Sequence, residues 1–111
     1  RIALAQMCSG IHPDENAAQL SEHIDKAAAG GATMLFTPEM TGLLDRDRTR
    51  AATAIRSEAD DVVLSKARLG AKQAGIWIQL GSLAIQTSES VAEKWVNRSY
   101  LINPDGKITA R

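Results

Sequence analysis

The chain has 111 residues, 44% of them hydrophobic and 23% charged, which is enough apolar material for one globular domain with a real core. Thirteen Lys and Arg balance thirteen Asp and Glu, so the basic field of a nucleic-acid binder is missing. No apolar run approaches the roughly 20 residues of a membrane helix, and one cysteine excludes an internal disulfide or a multi-cysteine zinc site. The expectation is a cytoplasmic protein that binds neither nucleic acid nor membrane and carries no metal.

Ile2 to Met7 reads as a first strand, apolar enough to predict burial on both faces. A loop from Ser9 to Asp14 follows, and Asn16 is the predicted N-cap of a helix, with Gln19 placed to bond back. Ala17, Leu20, Ile24, Ala27 and Ala28 make one apolar helix face, and Gly30-Gly31 ends it. Ala32 to Phe36 is a second buried strand that stops at Thr37-Pro38-Glu39. Residues 42–56 carry Asp45, Arg46, Asp47, Arg48 and Arg50 without a period and read as a loop entering short helical structure.

Val63, Leu64, Ala67, Ala71 and Ala74 mark a second amphipathic helix closed by Gly75, with Gly70 inside it as a site of close packing. Ile76 to Leu80 is a third strand, and Ser82 to Gln86 continues into another. Residues 87–93 are polar and read as a turn. Trp95 to Ile102 is a strand of mixed character, Asn103-Pro104-Asp105-Gly106 is a tight reversal, and Ile108 begins the partner strand. This order predicts a mixed α/β sheet, parallel at first and antiparallel at the end, with helices on one face. The chain opens at Arg1 straight into an apolar run and stops at Arg111 within strand-like sequence, which predicts a segment of a larger fold.

Few residues suggest chemistry. Glu39 lies three residues past the second strand, and ligands of open α/β sheets bind beyond the carboxyl ends of strands. Apolar strand ends would desolvate its carboxylate and suit it to general-base work. The competing reading is an acidic residue opening a helical turn. Cys8 and His12 form a weak nucleophile candidate without an orienting acid, and a buried cysteine is the commoner case. Asn97-Arg98-Ser99 matches a glycosylation acceptor but lies within a predicted strand, so Asn97 reads as a backbone-bonding residue near a sheet end. Arg46, Arg48 and Arg50 alternate with aspartates and read as a solvated loop, and His23 as a surface residue. Ser9-Gly10 lacks the glycines and lysine of a phosphate loop.

Four stretches in order resemble the nitrilase superfamily of carbon–nitrogen hydrolases along essentially the whole chain: Ile2 to Met7, Ala28 to Met40 with Pro38-Glu39, Gly75 to Ser82, and Asn97 to Ile108. Within it the chain is most similar to the amidase-like branch. The resemblance implies the N-terminal part of an α-β-β-α sandwich, with residues 1–111 a partial domain. It implies a Glu–Lys–Cys triad in which Glu39 is the catalytic general base. The lysine and the cysteine belong to segments downstream of Arg111; Lys107 and Cys8 do not stand in for them. The implied substrate is a small-molecule amide or nitrile, with no cofactor and a homo-oligomer as the complete form. Two other classes stay open: a truncated interaction module and a small-nucleotide-binding domain, the latter disfavoured by the missing glycine-rich turn.

Overall fold

The computed structural model describes residues 1–87 and 94–111. In chain order its elements are β1 (Ile2–Leu4), α1 (Pro13–Ala29), β2 (Met34–Phe36), α2 (Arg48–Ala54), β3 (Arg56–Ser57), α3 (Val62–Ala74), β4 (Trp77–Gln86), β5 (Val96–Ile102) and β6 (Ile108–Ala110). The strands form one mixed sheet in the order β1-β2-β4-β5-β6, and β3 pairs with the far half of β4. β1, β2 and β4 run parallel, while β5 and β6 return antiparallel. The predicted turn over 87–93 lies, apart from Thr87, outside the described residues.

Local chemistry sets the helix ends. Proline is tolerated at a first helical position because the N–H it lacks would have no helical partner there. Pro13 takes that place, and Asp14 and Glu15 follow in the first turn, where negative charge meets the positive end of the dipole. The cap position therefore falls on His12, not on Asn16, and Asn16 turns inward as a buried side chain of α1. Asp61 caps α3 through its carboxylate on the Leu64 amide, and left-handed Gly75 (φ 67°) closes that helix. Asp47 caps α2 in the same way through the Arg50 amide.

Helices α1 and α3 lie side by side on one face of the sheet. Leu20, Ile24, Val63, Leu64, Ala67 and Ala71 meet Leu35, Ile78, Leu80, Leu83, Tyr100 and Ile102 in a fully buried core. Burying each large aliphatic side chain contributes about 1.5–3 kcal/mol. Gly70 is where the two helices touch: a β-carbon there would stand 2.6 Å from Ile24 Cδ1.

The expectation that β1 is buried on both faces is corrected. Ala3, Ala5 and Met7 pack inward, whereas Ile2 and Leu4 are 61% and 77% exposed. Strand alternation explains the miss, because both sets are apolar and the sequence shows no polar/apolar alternation. The pairing register aligns Ile2 with Met34, and Met34 with Trp77. It likewise aligns Leu4 with Phe36, Phe36 with Gln79, and Gln79 with Leu101. These side chains form one largely apolar sheet face opposite α1 and α3. Its upper part is covered by a second small core of Leu43, Ala51, Ile55 and Ala84, with Met40 and Trp95 against it. The two strands expected over 76–86 are a single strand, β4, with a register shift between Leu80 and Leu83.

Candidate active site

The site is built where the carboxyl ends of β1 and β2 give way to loops. β2 ends at Phe36, and Thr37 still donates its amide to Gln79 O on β4 at 3.0 Å. The chain then turns sharply through Pro38, Glu39 and Met40, and Met40 takes the left-handed region at φ 54°. A non-glycine residue there is sterically costly unless its surroundings hold it. Here they do: the Met40 amide donates to Ser82 Oγ at 2.9 Å, and the Thr41 amide donates to Ser82 O at 3.0 Å.

Thr37 and Thr41 fix the other side of the turn through a directed chain of hydrogen bonds. Thr41 Oγ1 donates to Pro38 O at 2.6 Å, so the Thr37 hydroxyl must donate in the 2.7 Å contact between the two threonines. Thr37 Oγ1 in turn accepts from the Gly81 amide at 3.2 Å. Each hydroxyl thus gives one bond and accepts one, and the Pro38 carbonyl is pinned. Gly81 is required for a second reason. A β-carbon on it would stand 2.4 Å from both Pro38 C and Pro38 O, and 2.6 Å from Thr37 O. Gly42 is close-packed to a lesser degree, with the Leu83 side-chain atom Cδ2 at 2.8 Å from the place of a β-carbon.

Glu39 is carried at the apex of this turn and its side chain is exposed. No helix begins there: α2 starts at Arg48, so the helix-opening reading of Glu39 is corrected. The apolar surround expected at the strand end is not supplied by the described residues. Cys8 is exposed, against the buried-cysteine expectation. His12 is exposed at the start of α1, and no hydrogen bond joins it to Cys8 among the described residues. Lys107 lies in the turn between β5 and β6. That turn is at the end of the sheet opposite Glu39, since Ile102 pairs with Ile78 near the start of β4. β6 then runs back towards the Glu39 end. Asn97 is exposed on β5.

The charged loop is more ordered than its sequence suggests. Arg50 grips Asp45 with two hydrogen bonds of 2.7 Å, which holds the Asp45 carboxyl below its ordinary pKa. The Arg48 guanidinium lies 4.7 Å above the Trp95 ring. Among the described residues no three His, Cys, Asp or Glu side chains are grouped to hold a metal, and no helix is long and apolar enough to cross a membrane.

A cluster that sequence reasoning missed centres on Glu58, because its partners come from distant strands. Glu58 accepts from Arg111, from Tyr100 at 3.0 Å and from Arg98 at 3.4 Å. Arg111 first, with the Tyr100 and Arg98 bonds, outweighs partial burial and holds the Glu58 carboxyl at about 2. Burial and the adjacent carboxylate push the Tyr100 hydroxyl up to about 12. Because the Glu58 value is depressed below 4.5, its stabilisation is present above that pH and is lost as pH falls towards 2. Because the Tyr100 value is raised above 10, its stabilisation is present below pH 10 and is lost between 10 and 12. Denaturant titrations of Glu58→Gln across pH 2–7 are expected to show a flatter acid limb. At neutral pH the loss is expected to be about 1 kcal/mol, since solvent screens a half-exposed arginine. An acid limb identical to that of the parent would count against the cluster.

Compared with known proteins, residues 1–111 match the carbon-nitrogen hydrolase family over their whole length. This chain belongs to the carbon–nitrogen hydrolase family. It is 30% identical over 110 residues to a deaminated glutathione amidase of Yersinia enterocolitica, covering 99% of this chain and 37% of that relative. It is 31% identical over 109 residues to the nitrilase and fragile histidine triad fusion protein NitFhit of Drosophila melanogaster, covering 98% and 23% respectively. The carbon–nitrogen hydrolase fold is matched structurally by NitFhit of C. elegans, with TM-score 0.83, 26% identity, and coverage of 98% of this chain and 26% of that one. An amidase from Nesterenkonia sp. AN1 shares the fold at TM-score 0.78 and 24% identity, over 98% of this chain and 41% of the amidase. That amidase has an active site cysteine, seen bearing acrylamide by Michael addition in a variant with glutamate replaced by glutamine. The chain thus spans less than half the length of each of these relatives.

Proposed function

We propose that this chain supplies Glu39 as the general base of a hydrolase acting on small-molecule carbon–nitrogen bonds, amides foremost and nitriles second. The lysine and cysteine of the Glu–Lys–Cys triad would come from segments outside residues 1–111. The observation that carries the reading is the placement of Glu39: an exposed carboxylate on a turn locked to β4, at the carboxyl end of a parallel strand. The direction of β6, back towards that end, supports a following segment that reaches the same place. Amidases among the relatives, one of them with an active site cysteine, support the substrate class and the nucleophile.

The chemistry follows from what a carboxylate does beside a thiol. Glu39 takes the cysteine proton, and the thiolate attacks the amide carbon. The lysine stabilises the oxyanion that develops. The proton passes to the departing nitrogen, ammonia leaves, and a thioester remains. The freed carboxylate then takes a proton from water, which attacks the thioester and releases the acid. No step calls for a cofactor. We carry the cytoplasmic location and the homo-oligomer as parts of the same proposal.

The test is ammonia release from a panel of small amides and nitriles, measured on residues 1–111 and on a chain continuing through the lysine and cysteine segments. The expected result is turnover only in the longer chain, with amides preferred. Turnover by residues 1–111 that disappears in Cys8→Ala would overturn the reading. The interaction-module reading is favoured by one observation, the largely apolar sheet face bearing Ile2 and Leu4, and absence of turnover in the longer chain would select it.

A further inference from the structure

Asn16 is 1% exposed on the inner side of α1, where an unbonded amide would be costly. Every polar group of its side chain is engaged. Its Oδ1 accepts from the Gly10 amide at 2.9 Å, and its Nδ2 donates to Gly10 O and to Gly42 O, both at 2.9 Å. Gly10 belongs to the loop after β1, and Gly42 to the loop after β2, three residues beyond Glu39. Two more bonds join the same loops: Ser9 Oγ donates to Thr41 O at 3.1 Å, and the Leu44 amide donates to Gly10 O at 3.0 Å. The Glu39 turn is thus tied to β4 through Ser82 and Gly81 on one side, and to α1 through Asn16 on the other.

We infer that Asn16 is a positioning residue that sets the Glu39 turn from α1, through Gly42. The inference rests on the reading of Glu39 as base. Helix α1 is the rigid part of this arrangement, because Leu20 and Ile24 anchor it in the core a turn or two further along. Gly42 also packs against Leu83 and Val63, which leave no free space for a β-carbon there. Removing the amide donors leaves Gly42 O without its partner and frees the loop that carries the base.

The experiment uses the longer, catalytically complete chain with Asn16→Ala and, as a near-isosteric alternative that keeps the acceptor for Gly10, Asn16→Asp. Two readouts are taken. Hydrogen exchange of the 37–44 segment is expected to quicken about tenfold or more, while α3 stays as protected as in the parent. Turnover is expected to fall about 10- to 100-fold in kcat with KM within about twofold, the usual result of misplacing a reacting group by an ångström or less. In a Glu39→Gln background the same Asn16 change is expected to cost nothing further. Equal losses in both backgrounds, or exchange quickened uniformly through α3, would make Asn16 merely structural and overturn the inference. Unchanged exchange in 37–44 would also overturn it. If Glu39→Gln retains turnover, the base reading fails by itself, and the exchange data still decide whether Asn16 holds the turn.

Discussion

Gly81→Ala is expected to destabilise the chain by about 3 kcal/mol and to displace the Glu39 turn. The added methyl would meet Pro38 C and O at 2.4 Å and Thr37 O at 2.6 Å, all backbone atoms, so no side-chain rotation relieves the contact. Overpacking of this kind costs about 1–3 kcal/mol when side chains can give way, and here the backbone must move. Moving it breaks the bond from the Gly81 amide to Thr37 Oγ1 and with it the hydroxyl chain to Pro38 O. Gly10 is the matched control, since a β-carbon there meets nothing within 4 Å. Gly10→Ala is expected to be neutral or slightly stabilising. Denaturant midpoints of the two variants check this directly; equal midpoints would show that the turn is not seated against β4 as described.

Much of the fold was legible in the residues. The apolar period of 63–74 with Gly75 after it, and the Asn103 to Gly106 reversal, were read correctly because the causes are local: a helical stripe, a left-handed terminus, a proline-glycine turn. Asn16 misled because it satisfies the N-cap preference in isolation, while Pro13 three residues earlier already commits the chain to helix. β1 misled because Ile2 and Leu4 are apolar on a face that residues 1–111 leave open. β3 is two residues long, and it exists only because β4 offers a free edge beyond β2, which sequence periodicity does not encode.

The candidate site was legible only in part. Pro38-Glu39 past a strand pointed to a carboxylate at a strand end, and that is where Glu39 lies. The groups that hold it were not visible beforehand. Thr37, Thr41, Gly81 and Ser82 are small residues whose importance comes from bonds across more than forty positions. Glu58 was missed for the same reason, since Tyr100 and Arg111 reach it only once β5 and β6 are paired.

The role proposed for Glu39 is to take a proton, and one substitution separates that role from packing. Glu39→Gln keeps the size and shape of an exposed side chain and removes its capacity as a base. Stability is expected to change by no more than about 0.5 kcal/mol, as for other surface substitutions. The measurement is the rate of ammonia release from a small amide by the longer chain carrying Glu39→Gln, alongside its unfolding curve. A fall of at least about 10²-fold, the worth of a general base, is expected in a protein that unfolds like its parent. Near-parental turnover by folded Glu39→Gln would contradict it.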